Sequence, residues 1–253
     1  MQKNRAVLSL MLIAVAISAM VKAAPNKASD DKRTGQIVDG RAVLENAVIR
    51  GEWKLNAGRL TSLTIENKHT GQMVTIGSGH LPGVVLSSGR TIDLASVLPA
   101  KSLHLDKYSI VASFDDKGSG LSMRWSVSLN DGDSAIIQTL QMTASRDTKI
   151  KELVFLDATL KDARQVGSVA GSVVVCGDIF MAVEHPLAQN TVGKKSHVRC
   201  ALGRGNVLKD GQSCTHTSAI GVVPSFRGVH AHKRLQVAHR PRSLVFQAVA
   251  PFM

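Results

Sequence analysis

Aromatic side chains are scarce: Trp53, Trp125, Tyr108 and six phenylalanines make up 4% of 253 residues. A dedicated sugar-binding module presents exposed rings on which a pyranose face can stack. Trp125 falls on the apolar face of an amphipathic strand, and Trp53, inside Arg50-Gly-Glu-Trp-Lys-Leu55, also reads as core. Too few rings remain for a platform, which excludes tight sugar binding of that kind. Cysteine is equally thin. Cys176, Cys200 and Cys214 form no Cys-x-x-Cys and no zinc-type spacing, and they allow three single disulfides without selecting one. Buried or incidental thiols are expected, with no metal and no other cofactor.

Acid is missing from both ends. The first 23 residues hold Lys3, Arg5 and Lys22 and no acid, and from Gly211 to Met253 there are five bases and again none. Between these ends 23 bases face all 19 acids, so the net charge of +12 describes the ends rather than the domain. That excludes reading the chain as a nucleic-acid binder on its high isoelectric point. Two catalytic signatures are also absent. No Gly-x-Ser-x-Gly elbow occurs, Gly118-Ser119-Gly120 being a turn in a hydrophilic loop. Gly203-Arg204-Gly205 lacks the lysine and spacing of a phosphate loop.

What is present begins with a leader. Lys3 and Arg5 precede an apolar run, Ala6–Met20, broken only by Ser9 and Ser18, and Val21-Lys22-Ala23 supplies residues suited to cleavage. The pattern predicts a signal peptide over 1–23, cleavage near Ala23 or Ala24, and a secreted or periplasmic product without a stable membrane anchor. A polar leader is expected over 24–42. From there short apolar runs alternate with Gly, Asn and Asp. In Leu121–Leu129 five apolar residues alternate with four polar ones, and Asn130-Asp131-Gly132-Asp133 offers the turn that returns Ser134–Ala144 as its hairpin partner. Further strands are expected at Ala47–Leu55, Arg59–Asn67, Met73–Ile76, Ser109–Phe114, Ile150–Leu156, Gly167–Val175, Ile179–Glu184, Val198–Leu202 and Ser218–Val223. No window of helical length keeps a 3.6-residue period, so the expected class is all-β, an antiparallel sandwich over residues 43–224.

The most specific stretch is Asp178-Ile-Phe-Met-Ala-Val-Glu-His-Pro-Leu-Ala188, in which Glu184-His185-Pro186 closes an apolar strand. It is followed by Arg204-Gly-Asn-Val-Leu-Lys-Asp-Gly-Gln-Ser213 and by Ser218-Ala-Ile-Gly-Val-Val-Pro224. This order resembles the β-supersandwich domain that precedes the catalytic barrel of bacterial family-36-like glycoside hydrolases, α-galactosidase relatives that include chains called enterotoxins. Where such relatives carry glycine, this chain has Ala182. The resemblance implies a galactose-mutarotase-like sandwich associated with carbohydrate, and it implies that the hydrolytic carboxylates belong to a barrel, so that no residue here is assigned as catalytic. A stand-alone secreted carbohydrate- or surface-binding protein and a mutarotase-like sugar epimerase are the alternatives.

Asp178, Glu184 and His185 are the candidates for a carbohydrate contact or a domain interface. Asp157 is a further acid, and no spacing marks two of these as a hydrolytic pair. Neighbours on an extended strand point to opposite faces, so Glu184 and His185 can serve one ligand only if the backbone turns before Pro186. After Pro224 the pattern fails: Ser225–Arg242 carries His230, His232 and His239 with no acid. A shifted reading frame near residues 225–230 is expected, which sequencing of the coding DNA tests.

Overall fold

The computed structural model describes residues 36–57, 59–97 and 102–223. The expected signal peptide, most of the polar leader and the histidine-bearing tail lie outside them. Five strands open the described chain: β1 (Gln36–Val38), β2 (Arg41–Glu45), β3 (Ile49–Asn56), β4 (Arg59–Asn67) and β5 (Gln72–Ile76). They pair in that order as an antiparallel meander. β1 and the start of β2 fall within the stretch read from sequence as polar leader. Three-residue β1 carries too short a pattern to announce itself, and its evidence is its pairing, Gln36↔Val43 to Val38↔Arg41.

β6 (Gly83–Leu86) and β7 (Thr91–Asp93) form a hairpin that ends in the single turn α1 (Leu94–Val97). A second meander follows, β8 (Ser102–Leu105), β9 (Ser109–Asp116), β10 (Leu121–Ser128) and β11 (Ala135–Ala144). The β10–β11 hairpin is the one expected, with Trp125 opposite Leu140 and Ser128 opposite Ile137. Next come β12 (Thr148–Thr159), β13 (Arg164–Val166), β14 (Val173–Cys176), β15 (Ile179–Val183), β16 (Ala188–Val192), β17 (His197–Gly203), β18 (Val207–Leu208) and β19 (Ser213–Val222).

The result is all-β, and every strand pairing among the described residues is antiparallel. An eight-stranded sheet runs β13-β14-β15-β19-β11-β10-β9-β8, and a six-stranded one runs β16-β17-β12-β6-β7 with β18 beside β12. The five-stranded and six-stranded sheets both pack on the inner face of the eight-stranded one. Trp53 of β3 meets Trp125 of β10 edge-on at 6.4 Å between ring centroids. Phe155 and Cys200 of the six-stranded sheet face Gln138, Met181 and Ser218 across a cavity of about 10 Å³, room for at most one water. Both tryptophans are core, as the alternation of their strands requires.

A buried polar relay crosses this interface. Trp125 Nε1–H donates to Gln138 Oε1 at 2.7 Å, and Gln138 Nε2–H donates to Ser218 Oγ at 3.1 Å. Gln138→Leu leaves the indole N–H unpaired inside the core, so it is expected to lower stability by about 1–3 kcal/mol in chemical denaturation. A midpoint equal to that of the parent protein would show that the relay contributes nothing. The three cysteines are free thiols. Burial pushes the Cys200 thiol up to about 12, so it is not a nucleophile at neutral pH.

Candidate functional site

β15 reaches its site through its partner. Its pairing with β19 runs from Ile179↔Val222 to Val183↔Ser218. Beyond Val183 the strand stops: Glu184 N–H still bonds Thr217 O at 3.0 Å, but His185 N–H turns back to Val183 O at 3.1 Å. Ala188 N–H then closes a turn on His185 O at 2.9 Å, with Pro186 inside it, where its fixed φ suits a turn. The backbone is therefore not extended across Glu184-His185, and the opposite-face rule does not apply to the pair.

The turn carries His185 to His216, with ring centroids 5.9 Å apart and the planes at 63°. His216 lies on β19 with Cys214 and Ser218 at alternate positions on the inner face, where burial of this half of the strand gives way to partial exposure. Arg204, one residue past the end of β17, places Nη1 2.7 Å from His216 Nε2, and its charge opposes the upward push of burial on the Cys214 thiol.

The partners fix the protons on both imidazoles. A guanidinium can only donate, so His216 Nε2 holds the lone pair and the ring proton sits on Nδ1. Leu187 N–H donates to His185 Nδ1 at 3.1 Å, so the His185 proton sits on Nε2. Burial, with Arg204 and His185 nearby, pushes His216 down to about 4, which keeps it neutral at physiological pH. Two neutral N–H donors and a guanidinium thus gather beside the backbone of Glu184. Leu187, 70% exposed, adds an apolar side chain in the same turn.

Asp178 is placed elsewhere. It follows Gly177, whose φ of +60° needs glycine, in the β14–β15 turn at the opposite end of β15. Six residues of nearly extended chain set it roughly 20 Å from Glu184. Its backbone N–H bonds Gln72 Oε1 at 2.7 Å, and its carbonyl accepts from Val223 N–H at 2.8 Å. The neighbouring Cys176 and Gly177 line a cleft of about 510 Å³ with Gln72–Thr75 of β5 and residues 159–162. Asp178 thus anchors a turn at the rim of that cleft, apart from Glu184 and His185.

Asp157 lies on β12 in an ion-pair cluster. Arg199 holds Glu152 through both carboxylate oxygens, at 2.5 and 2.8 Å, and reaches Asp157 at 3.4 Å, while His197 Nε2 lies 2.7 Å from Asp157. These carboxylates share one guanidinium.

His216 and Arg204 are not singled out by the sequence. Extending the alternation of Ser218–Val223 backward would have put His216 and Cys214 on the inner face. Arg204 opens a stretch that carries the resemblance and sits in a Gly-Arg-Gly that fails as a phosphate loop, but neither marks it as a ligand-binding side chain.

No protein-family profile and no curated protein matches the sequence. Among solved structures, a mutant of the heparan sulfate lyase HepC from Pedobacter heparinus is similar over 75% of this chain and 36% of its own length, at 8% identity and a TM-score of 0.46. A polysaccharide lyase overlaps 76% of this chain and 34% of its own, at 9% identity and a TM-score of 0.48. The galactose 1-epimerase of Lactobacillus acidophilus overlaps 74% of this chain and 96% of its own, at 10% identity and a TM-score of 0.42. The chain thus spans about a third of the length of the two lyases.

Proposed function

We propose that this chain is an exported, non-catalytic β-sandwich domain that works on carbohydrate as part of an α-glycosidase-like protein of the family-36 kind. The observation that carries the reading is the cluster of His185, His216 and Arg204, a set of fixed donors suited to the oxygens of a sugar, at the turn that follows Glu184. Glycoside hydrolysis needs two carboxyl groups across one bond. Glu152 and Asp157 both bond Arg199 instead, so the one guanidinium holds the two carboxylates together rather than apart across a substrate bond. Export is supported by the basic start and apolar run of residues 1–23.

The test is saturation-transfer NMR of the full chain with galactose and galacto-oligosaccharides, alongside an assay with a chromogenic α-galactoside. Sugar contact without hydrolysis is expected, and Glu184→Gln or His185→Ala should weaken binding by about tenfold each, the loss of one hydrogen bond of roughly 1.4 kcal/mol. Hydrolysis intrinsic to the purified chain would sink the non-catalytic reading.

The turn at Glu184 favours one second reading, a mutarotase-like sugar epimerase, because it removes the geometric objection to Glu184 and His185 serving one ligand. Polarimetric anomer exchange that is lost in Glu184→Gln would select it. An exchange rate equal to that in buffer alone would dismiss it.

A further inference from the structure

Arg204 is half-buried, yet among the described residues no carboxylate pairs with it; its guanidinium bonds an imidazole nitrogen. The contrast with two other half-buried arginines is direct. Arg50 bonds Glu45 and Glu52, and Arg199 bonds Glu152 and Asp157. A cation partly withdrawn from water without a counter-charge is costly, and proteins normally pair it.

Its neighbours do not neutralise it. His216 and His185 are uncharged and each turns an N–H outward from its fixed partner, on Nδ1 and Nε2 respectively. The cluster therefore offers donors of three kinds and one positive charge that no carboxylate among the described residues pairs. A ligand group that satisfies it accepts hydrogen bonds only and is an anion. A planar carboxylate matches a guanidinium fork best. Leu187 in the same turn gives an apolar contact that a free inorganic anion cannot use and a sugar ring can.

We propose that the Arg204–His216–His185 cluster binds the carboxylate of a uronic-acid sugar. This rests on the carbohydrate reading above and sharpens it from neutral to acidic sugar.

The experiment is calorimetric titration of the full chain with glucuronate, glucose, acetate and inorganic phosphate at neutral pH, repeated for Arg204→Gln and Arg204→Lys. Glucuronate should bind at least tenfold more tightly than either glucose or acetate. Arg204→Gln should lose that preference, and Arg204→Lys should recover part of it. Removing an unpaired guanidinium should also leave the thermal midpoint of the ligand-free protein unchanged or slightly raised, which separates a binding residue from a structural prop.

Glucose and glucuronate binding equally in parent and Arg204→Gln would overturn the acidic-sugar assignment while leaving the carbohydrate reading intact. Acetate or phosphate matching glucuronate would make this an anion site without sugar recognition and overturn the proposal. No binding by any of the four would overturn this proposal, while the galactose test above decides the carbohydrate reading separately. Should Arg204→Gln melt far below the parent, His185→Gln provides the second variant; undiminished glucuronate affinity in it would also refute the proposal.

Discussion

Gly79→Ala is expected to lower the melting temperature by roughly 6–12 °C, the shift that about 3 kcal/mol produces in a domain of 150–250 residues. Gly79 sits in a single 3-10 turn, Ser78–His80, between β5 and β6. Its φ of −78° and ψ of 16° are open to any residue, so the effect is not one of backbone freedom. It is purely steric: a Cβ at this position would overlap the Asp157 carbonyl of β12. The opposing atom is backbone within a paired strand, next to the Val154/Leu156 bulge, and cannot swing aside as a side-chain tip would. Relief requires moving the turn off β12, which loosens the five-stranded sheet from the six-stranded one and displaces Asp157 from Arg199 and His197. Gly203→Ala is the control, since open space surrounds its Cβ position and its φ is unexceptional. Equal melting of the two variants would show that the Gly79–Asp157 contact is not rigid.

Acidification from pH 6.5 to 4 is expected to cost about 3 kcal/mol through His80 alone, because burial pushes its pKa from 6.5 down to about 4. His80 is fully buried at the end of the same turn, with its Nδ1 2.7 Å from Gly77 O and its Nε2 without a partner. Because the carbonyl can only accept, Nδ1 carries the proton and Nε2 a lone pair. Burial pushes the group down to about 4, against smaller opposing effects of the Gly77 bond and of Asp93.

The folded protein therefore binds fewer protons than the unfolded chain between those two values, and stability falls as pH falls through that window. His216, also pushed down to about 4 but only half-buried, acts in the same direction with a smaller, solvent-screened effect. Asp106, held below the ordinary carboxylate range by the Tyr108 N–H and the Ser109 hydroxyl, loses its contribution only at still lower pH. Denaturant midpoints of the parent and of His80→Gln across pH 4–7 measure this. The variant should show a distinctly flatter loss, retaining the His216 part. Parallel curves would show that His80 is not the acid-sensitive group.

The two effects meet at one place that the sequence does not announce. Ser78-Gly-His80 reads as an ordinary turn between two apolar runs. Only packing on β12 makes its glycine indispensable and its histidine dry. The same holds at the candidate site. Glu184-His185-Pro186 stands out in the sequence because a charged–imidazole–proline triplet closing an apolar run is unusual in itself. Asp178 stands out with it by proximity along the chain, yet β15 holds the two ends apart, since an extended strand separates what sequence places close together.

The all-β class, the β10–β11 hairpin and the burial of both tryptophans were legible because they rest on a two-residue period and on Asn, Asp and Gly turn chemistry, signals contained within about ten residues. β1, β13 and β18 were not, since a strand of two or three residues has no period to read and exists only through its partner. The sequence by itself determined that this protein is a sheet protein with its tryptophans inside, and it marked Glu184-His185-Pro186 as the end of a strand; the turn there came from the structure. The tertiary structure alone decided that His185 lies against His216 and that Arg204 reaches His216. Those contacts join residues 12 to 31 positions apart, and they depend on the register of β15 and β17 relative to β19, where a one-residue slip would turn His216 to the opposite face.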